Sequence, residues 1–153
     1  MKRSKTRYLP VGEVSSGTLR PEDLIPAMLD LLAGVRLSKA DRATVCAIER
    51  DSGREGYYDE DECDEDFSAL YDLANNYAPP YCYVGSTEGD GACIGVWPDV
   101  DSLMEDAREW RLVESDRSGG GTRVGDGYRV VVSDHGNVSL YSARTGREFW
   151  GVV

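Results

Sequence analysis

The sequence predicts an α+β fold, with N-terminal helices packed on one face of a C-terminal antiparallel sheet. Helical apolar patterns fill the first half of the chain, and short strand patterns with Gly-containing turns dominate the second half. Helices first and strands later is the element order of α+β proteins. With 153 residues and 41% apolar side chains, the chain suits a single domain, preceded by a flexible basic tail over about 1–7.

Three helices are expected in the first half, after an extended lead-in over 8–19. The first helix spans 21–34, from a proline suited to a helix start to a glycine suited to its end. Ser38 fits the cap of the second helix, with Asp41 three residues later. In the third helix, apolar side chains recur at three- and four-residue intervals over 67–77, and two prolines then end it.

Strands dominate the second half. A hairpin is expected over 81–98, because two strand patterns flank a loop that contains glycine. A further acidic helix follows, with Asp99 or Asp101 as its cap. Residues 116–127 are rich in glycine and predict a flexible loop, and two or three antiparallel strands with tight turns close the chain from residue 128 onward.

Negative charge is concentrated in the middle of the chain. Residues 51–117 hold 19 acidic and four basic side chains, a net charge of −15, whereas residues 1–50 carry +3 and residues 118–153 carry +1. Such a chain repels nucleic acid and anionic membranes and attracts basic surfaces. We therefore expect a basic nucleic-acid-binding protein as partner, with no direct nucleic-acid or membrane binding. The sequence does not indicate an oligomeric state.

Seven carboxylates occupy the eight positions 59–66, here called the acidic segment. Its members are Asp59, Glu60, Asp61, Glu62, Asp64, Glu65 and Asp66. A helix N-terminus stabilises acids by about 0.3–1 kcal/mol each, but only within its first turn. The dipole therefore accounts for three or four of them. The simplest interpretation of the rest is solvated surface charge.

The alternative interpretation is mimicry of nucleic acid. Duplex DNA carries about one negative charge per 1.7 Å of axis, and a helix rises about 1.5 Å per residue, so seven acids in eight residues give a similar density. A second acidic set could extend this surface. Its members are Asp99, Asp101, Glu105, Asp106 and Glu109. All twelve acids are predicted partner-binding residues.

No motif indicates a catalytic residue, a metal ligand or a cofactor, and we predict a non-enzymatic protein. Counted from Asp59, a calcium-binding EF-hand needs glycine sixth and glutamate twelfth, where this chain has Asp64 and Leu70. His135, the single histidine, lies among turn-forming residues and is assigned to a hairpin turn. A small hydrolase or nucleotide-binding protein that uses Asp134 and His135 stays a third alternative, and it requires a concave pocket there.

The four cysteines do not form a C-x-x-C pair, so their spacing argues against zinc. Cys46, Cys82 and Cys93 are expected to be buried thiols, and the acidic surroundings of Cys63 disfavour its thiolate. The basic N-terminus is not followed by an apolar signal region. We therefore expect reduced thiols and a cytoplasmic location.

Aromatic side chains flank the acidic elements. They are Tyr57, Tyr58, Tyr77, Tyr81, Tyr83, Trp97 and Trp110. Most are expected in the core, but exposed ones beside carboxylates would suit a protein-binding rim. The alternative function is therefore an accessory interaction module that binds through an exposed aromatic sheet surface, with the acidic segment serving solubility only.

Three segments, over 9–32, 75–99 and 133–153, resemble a group of small acidic proteins encoded by bacteriophages and mobile elements. The resemblance implies a product that acts in the cytoplasm of a host bacterium and carries over no residue roles. Small acidic phage proteins often block host DNA-handling or defence machinery, including restriction and CRISPR enzymes. The expected function is therefore that of a non-enzymatic anti-restriction or anti-CRISPR inhibitor that acts by nucleic-acid mimicry.

Overall fold

The computed structural model of the chain describes residues 4–109, 122–124 and 127–152. The chain divides into two compact units: the first comprises Met1–Ala78 and Cys82–Trp97, and the second comprises Pro79–Tyr81 and Pro98–Val153. The α+β class predicted from the sequence is confirmed, with helices early and an antiparallel sheet at the C-terminal end. The strands form two sheets rather than one. The single domain inferred from length stays a prediction.

The first unit contains three helices and a three-stranded sheet. Its elements are β1 (Gly12–Ser15), α1 (Pro21–Ala33), α2 (Lys39–Ser52), a 3-10 turn (Tyr57–Asp59), α3 (Glu62–Asn75), β2 (Cys82–Thr87) and β3 (Asp90–Pro98), whose last residue belongs to the second unit. The sheet order is β1-β3-β2, and β1 runs antiparallel to β3. The expected hairpin is confirmed, and part of the expected lead-in is the edge strand β1.

Local sequence signals set the helix ends, as expected. Pro21 stands at the start of α1, and Gly34 follows its last residue. At α2 the Asp41 backbone N–H donates to the Ser38 hydroxyl at 3.1 Å, which confirms the predicted cap. The core beneath these helices is apolar. Its fully buried side chains include Ile25, Met28, Leu32, Val35, Tyr57, Leu70, Ala74 and Val96.

Two further contacts stabilise the first unit, one at the edge strand β2 and one near the N-terminus. The Asn75 amide accepts from the Val84 N–H at 2.9 Å and donates to the Val84 carbonyl at 3.4 Å, so a side chain pairs with the backbone of edge strand β2. Thr6 forms a bridge with Val35, although a flexible tail was expected there. Residues 1–3 of that tail lie outside the described residues.

Over its described residues, the second unit contains one helix and a four-stranded antiparallel sheet. Its elements are α4 (Val100–Glu109), β4 (Thr122–Val124), β5 (Tyr128–Val132), β6 (Val138–Ser142) and β7 (Glu148–Val152), in the order β4-β5-β6-β7. Both expected turns of the last two hairpins are confirmed. Inside the expected loop over 116–127, residues 122–124 instead form β4, because their backbone pairs with β5. Residues 116–121 and 125–126 of that loop lie outside the described residues.

Candidate acidic interface

The acidic segment runs from Asp59, the last residue of the 3-10 turn, to Asp66, just past the first turn of α3. Glu60 lies between these elements with extended backbone angles, and α3 begins only after Asp61. The segment is therefore not one continuous helix, and the even charge spacing assumed for a helix holds only from Glu62 onward. Glu62, Asp64 and Glu65 stand in the first turn of α3, where the helix dipole favours negative charge.

Two carboxylates of the segment share one arginine. The Arg54 guanidinium donates to Glu60 at 3.0 Å and to Glu62 at 2.9 Å, and all three side chains are about half exposed. Surface pairs of this kind contribute about 0–1 kcal/mol, so Arg54 contributes little to stability. Its effect is on the charge pattern, because it neutralises part of the segment next to the 3-10 turn.

A third carboxylate is bound to the core. The Tyr57 hydroxyl donates to Asp66 at 2.7 Å, and the Tyr57 side chain is fully buried. Burial, together with the Asp66 carboxylate, raises the pKa of Tyr57 well above its usual range. Asp66 is therefore the acceptor that satisfies a buried hydroxyl, and its charge serves the fold as well as the surface.

The other four acids of the segment are fully available to a partner. Asp59, Asp61, Asp64 and Glu65 are all exposed. Within the described part of the chain, their carboxylates form no ion pair and accept no hydrogen bond from another side chain. We call these four residues the free carboxylates. They are the part of the acidic segment that side-chain contacts do not explain, and the helix dipole favours two of them, Asp64 and Glu65.

In the second acidic set, too, some carboxylates are hydrogen-bonded inside the protein and others are exposed. Asp99 caps α4, accepting from the Ser102 backbone N–H at 3.0 Å and from its hydroxyl at 2.8 Å, and these bonds lower the pKa of Asp99. The Tyr81 hydroxyl donates to Asp106 at 2.6 Å. Burial and this carboxylate raise the pKa of Tyr81 to about 12. The remaining members lie on α4: Asp101 and Glu105 are exposed, and the Glu109 side chain lies outside the described set.

The two acidic sets belong to different units. The acidic segment lies in the first unit, and residues 99–109 lie in the second. A single continuous negative surface made by both sets stays a prediction.

The cysteine predictions hold in part. Burial, reinforced by Asp64, raises the pKa of the Cys63 thiol, and burial raises that of Cys82 to about 12. Cys93 is buried as expected, and Cys82 is half-buried. Cys46 was expected to be buried and is exposed, because α2 turns only its Val45 and Ile48 face to the core. One position along a helix is a rotation of about 100°, which carries Cys46 out of that face.

The aromatic side chains are mostly engaged inside the protein. Tyr57 is buried, and the hydroxyls of Tyr77 and Tyr81 donate to aspartates. The Trp97 indole N–H donates to the Gly85 carbonyl at 2.9 Å. Trp110 lies outside the described residues. The polar ends of these rings thus serve the fold, and the aromatic sheet surface stays an alternative without a specific contact that favours it.

Other functional candidates were also located. Asp134 and His135 are exposed at the β5–β6 turn, which confirms the turn assignment. Among the described residues, no three or more His, Cys, Asp or Glu side chains are grouped so that they could hold a metal ion. Nor does the described part contain a helix long and apolar enough to cross a membrane.

An open groove of about 430 Å³ lies beside α3 in the first unit. It is lined by Leu19, Leu24, Phe67, Ser68, Tyr71, Asp72, Ser86, Gly91 and Ile94. Sequence reasoning missed this groove, because its walls come from α1, α3 and the β2–β3 hairpin. One signal could have indicated it: Phe67 and Tyr71 stand four residues apart on a helix that also carries acids.

Comparison of the chain with protein-family models, with curated proteins and with solved structures found no match.

Proposed function

We propose that the acidic segment binds a basic nucleic-acid-binding protein of a bacterial host and occupies the surface on which that protein holds nucleic acid. The observation that carries the proposal is the set of free carboxylates, Asp59, Asp61, Asp64 and Glu65, which are exposed and unpaired within the described part of the chain. A non-enzymatic inhibitor of host DNA-handling or defence machinery is the function that such a surface serves.

The charge of the chain favours a protein partner. Opposite potentials speed association and select against wrong partners, and a net charge of −11 opposes binding to nucleic acid itself. Asp61 and Glu65 stand four residues apart, a spacing at which like charges on a helix are mildly destabilising. A basic partner reduces that repulsion, whereas the helix dipole already stabilises the acids in the first turn of α3.

Neutralisation of the free carboxylates tests the proposal. The variant combines Asp59→Asn, Asp61→Asn, Asp64→Asn and Glu65→Gln. Glu62 and Asp66 stay unchanged, because Arg54 and Tyr57 use them inside the protein. The matched control removes four exposed charges elsewhere, with Asp30→Asn, Glu49→Gln, Asp134→Asn and Glu148→Gln. Both variants have the same net charge, so only the position of the charge differs.

The measurement is capture of host proteins from a bacterial lysate on the immobilised chain, with washes at about 0.1 M and 1 M salt. At these concentrations the screening length falls from about 10 Å to about 3 Å. We expect the unchanged chain and the control to retain a nucleic-acid-binding protein that high salt releases, and the neutralised variant to lose it. The captured protein should then release a labelled oligonucleotide when the chain is added. Equal capture by both variants contradicts the proposal.

A further inference from the structure

We propose that the groove beside α3 binds a short segment of the partner protein in which large apolar side chains are flanked by lysine or arginine. This inference rests on the proposed function, because it assigns a second contact to the same basic partner. It adds an apolar anchor to what would otherwise be a purely electrostatic association, and therefore predicts a sequence preference.

The floor and walls of the groove supply apolar contact area. Phe67 and Tyr71 on α3 are half-buried and lie edge to face, with ring centroids 5.4 Å apart. Leu19 borders the groove and is 61% exposed, which makes it one of two large apolar side chains that are exposed in the described part of the chain. Such a volume, about 430 Å³, falls within the range of roughly 300–1,000 Å³ typical of binding sites.

Charge restricts what can fill the groove. Among the described residues that line it, Asp72 is the only charged one, and it is exposed. The charge that these lining residues carry is therefore negative. Glu88 lies in the β2–β3 turn, and Asp90 is the first residue of β3, directly before the lining residue Gly91; both are exposed. A second copy of this chain would bring the same net charge of −11 to a site that already repels it.

The groove is continuous with the acidic segment along α3. Asp64, Ser68 and Asp72 recur every four residues, which places them in one row on the helix surface. The Ser68 hydroxyl, which lines the groove, donates to the Asp64 carbonyl at 3.0 Å. One helical turn advances about 5.4 Å. A segment with apolar side chains in the groove thus brings a basic residue one or two positions away within reach of Asp64 and Glu65.

The probe is a displayed library of random 12-residue peptides, selected on the folded full-length chain. We expect the enriched peptides to contain two or three large apolar residues together with lysine or arginine. One enriched peptide is then titrated by calorimetry against the chain and its variants. Leu19→Ser should weaken binding about tenfold, since it removes the exposed apolar side chain that a bound segment would cover. Asp72→Asn should weaken it roughly two- to fivefold at low salt.

Each variant has a matched control. Val11→Ser changes the other exposed large apolar side chain, which is 37% exposed and does not line the groove, and should leave affinity unchanged. Asp30→Asn removes an exposed charge from α1 and is the matched control for Asp72→Asn, so it should also leave affinity unchanged. Circular dichroism and the melting temperature establish that Leu19→Ser folds, as its exposure leads us to expect.

Two results would overturn the groove proposal: selection that enriches no peptide with this pattern, and an enriched peptide that binds Leu19→Ser as tightly as the unchanged chain. After either result, the lysate capture that compares the variant neutralised at the free carboxylates with its control still tests the proposed function independently. Conversely, equal salt-sensitive capture by the neutralised variant and its control refutes the nucleic-acid-mimicking interface, and the peptide titrations then still decide whether the groove binds such a segment. The two failures are therefore distinguishable.

Discussion

The hydrogen bond between Tyr57 and Asp66 should distinguish acids that stabilise the fold from acids that are free for a partner. The Tyr57 side chain is 0% exposed, and its hydroxyl donates to Asp66 at 2.7 Å. Asp66→Ala leaves that buried hydroxyl without its acceptor, which costs about 1–3 kcal/mol of unfolding free energy. Tyr57→Phe should cost less, about 1 kcal/mol, because the half-exposed Asp66 carboxylate can then turn to water.

Urea unfolding followed by circular dichroism measures these differences. With a slope of about 2 kcal/mol per molar urea, Asp66→Ala should lower the midpoint by about 0.5–1.5 M. Asp64→Ala is the control, because Asp64 is an exposed acid in the same helical turn and loses only the dipole contribution of about 0.3–1 kcal/mol.

Combining Tyr57→Phe with Asp66→Ala should cost less than the sum of the two single variants, since both remove the same bond. If Asp66→Ala is no more destabilising than Asp64→Ala, or if the two costs simply add, the assignment of Asp66 to the fold is wrong.

Three further predictions concern the backbone, a helix cap and the thiols. Gly95→Ala should destabilise the chain by about 1–3 kcal/mol, because a Cβ there would clash with the backbone of β1 and with the indole ring of Trp97. Gly91→Ala is the control: it has open space around it and should melt within about 1 °C of the unchanged chain. The pKa of Asp99 is lowered in the folded chain. Its stabilisation of α4 is therefore present above the usual aspartate pKa and is lost as the pH falls through the folded-state pKa. A helix signal at residues 100–109 that is unchanged by Asp99→Ala at neutral pH would contradict this. A thiol reagent at pH 8 should label the exposed Cys46 quickly, and Cys46→Ser should abolish this fast phase. Half-buried Cys82 should react slowly, because burial raises its pKa to about 12, and buried Cys63 and Cys93 should react only after denaturation.

The sequence was most informative where structure depends on neighbouring residues. Pro21, Ser38 and Asp99 each mark a helix start through contacts within a few residues, and all three starts were predictable. The same holds for the turns of the C-terminal hairpins. In contrast, β4 was missed, because its pairing depends on β5 rather than on its own composition.

Which acids are free for a partner was decided by the tertiary structure. Sequence alone located the acidic segment, but treated its seven carboxylates as equivalent. The direction of the Arg54 side chain and the burial of Tyr57 remove Glu60, Glu62 and Asp66 from the free set. These contacts join residues six to nine positions apart across a turn, and local periodicity does not determine such distances.

The groove depends on tertiary structure for the same reason. Its walls come from α1, α3 and the β2–β3 hairpin, which are distant along the chain and meet only when the core of the first unit packs. Sequence by itself thus determined the element order, the helix starts and the concentration of negative charge, since these follow from local chemistry and composition. Packing decided which charges and which apolar side chains a partner can reach, because exposure is a property of the folded chain.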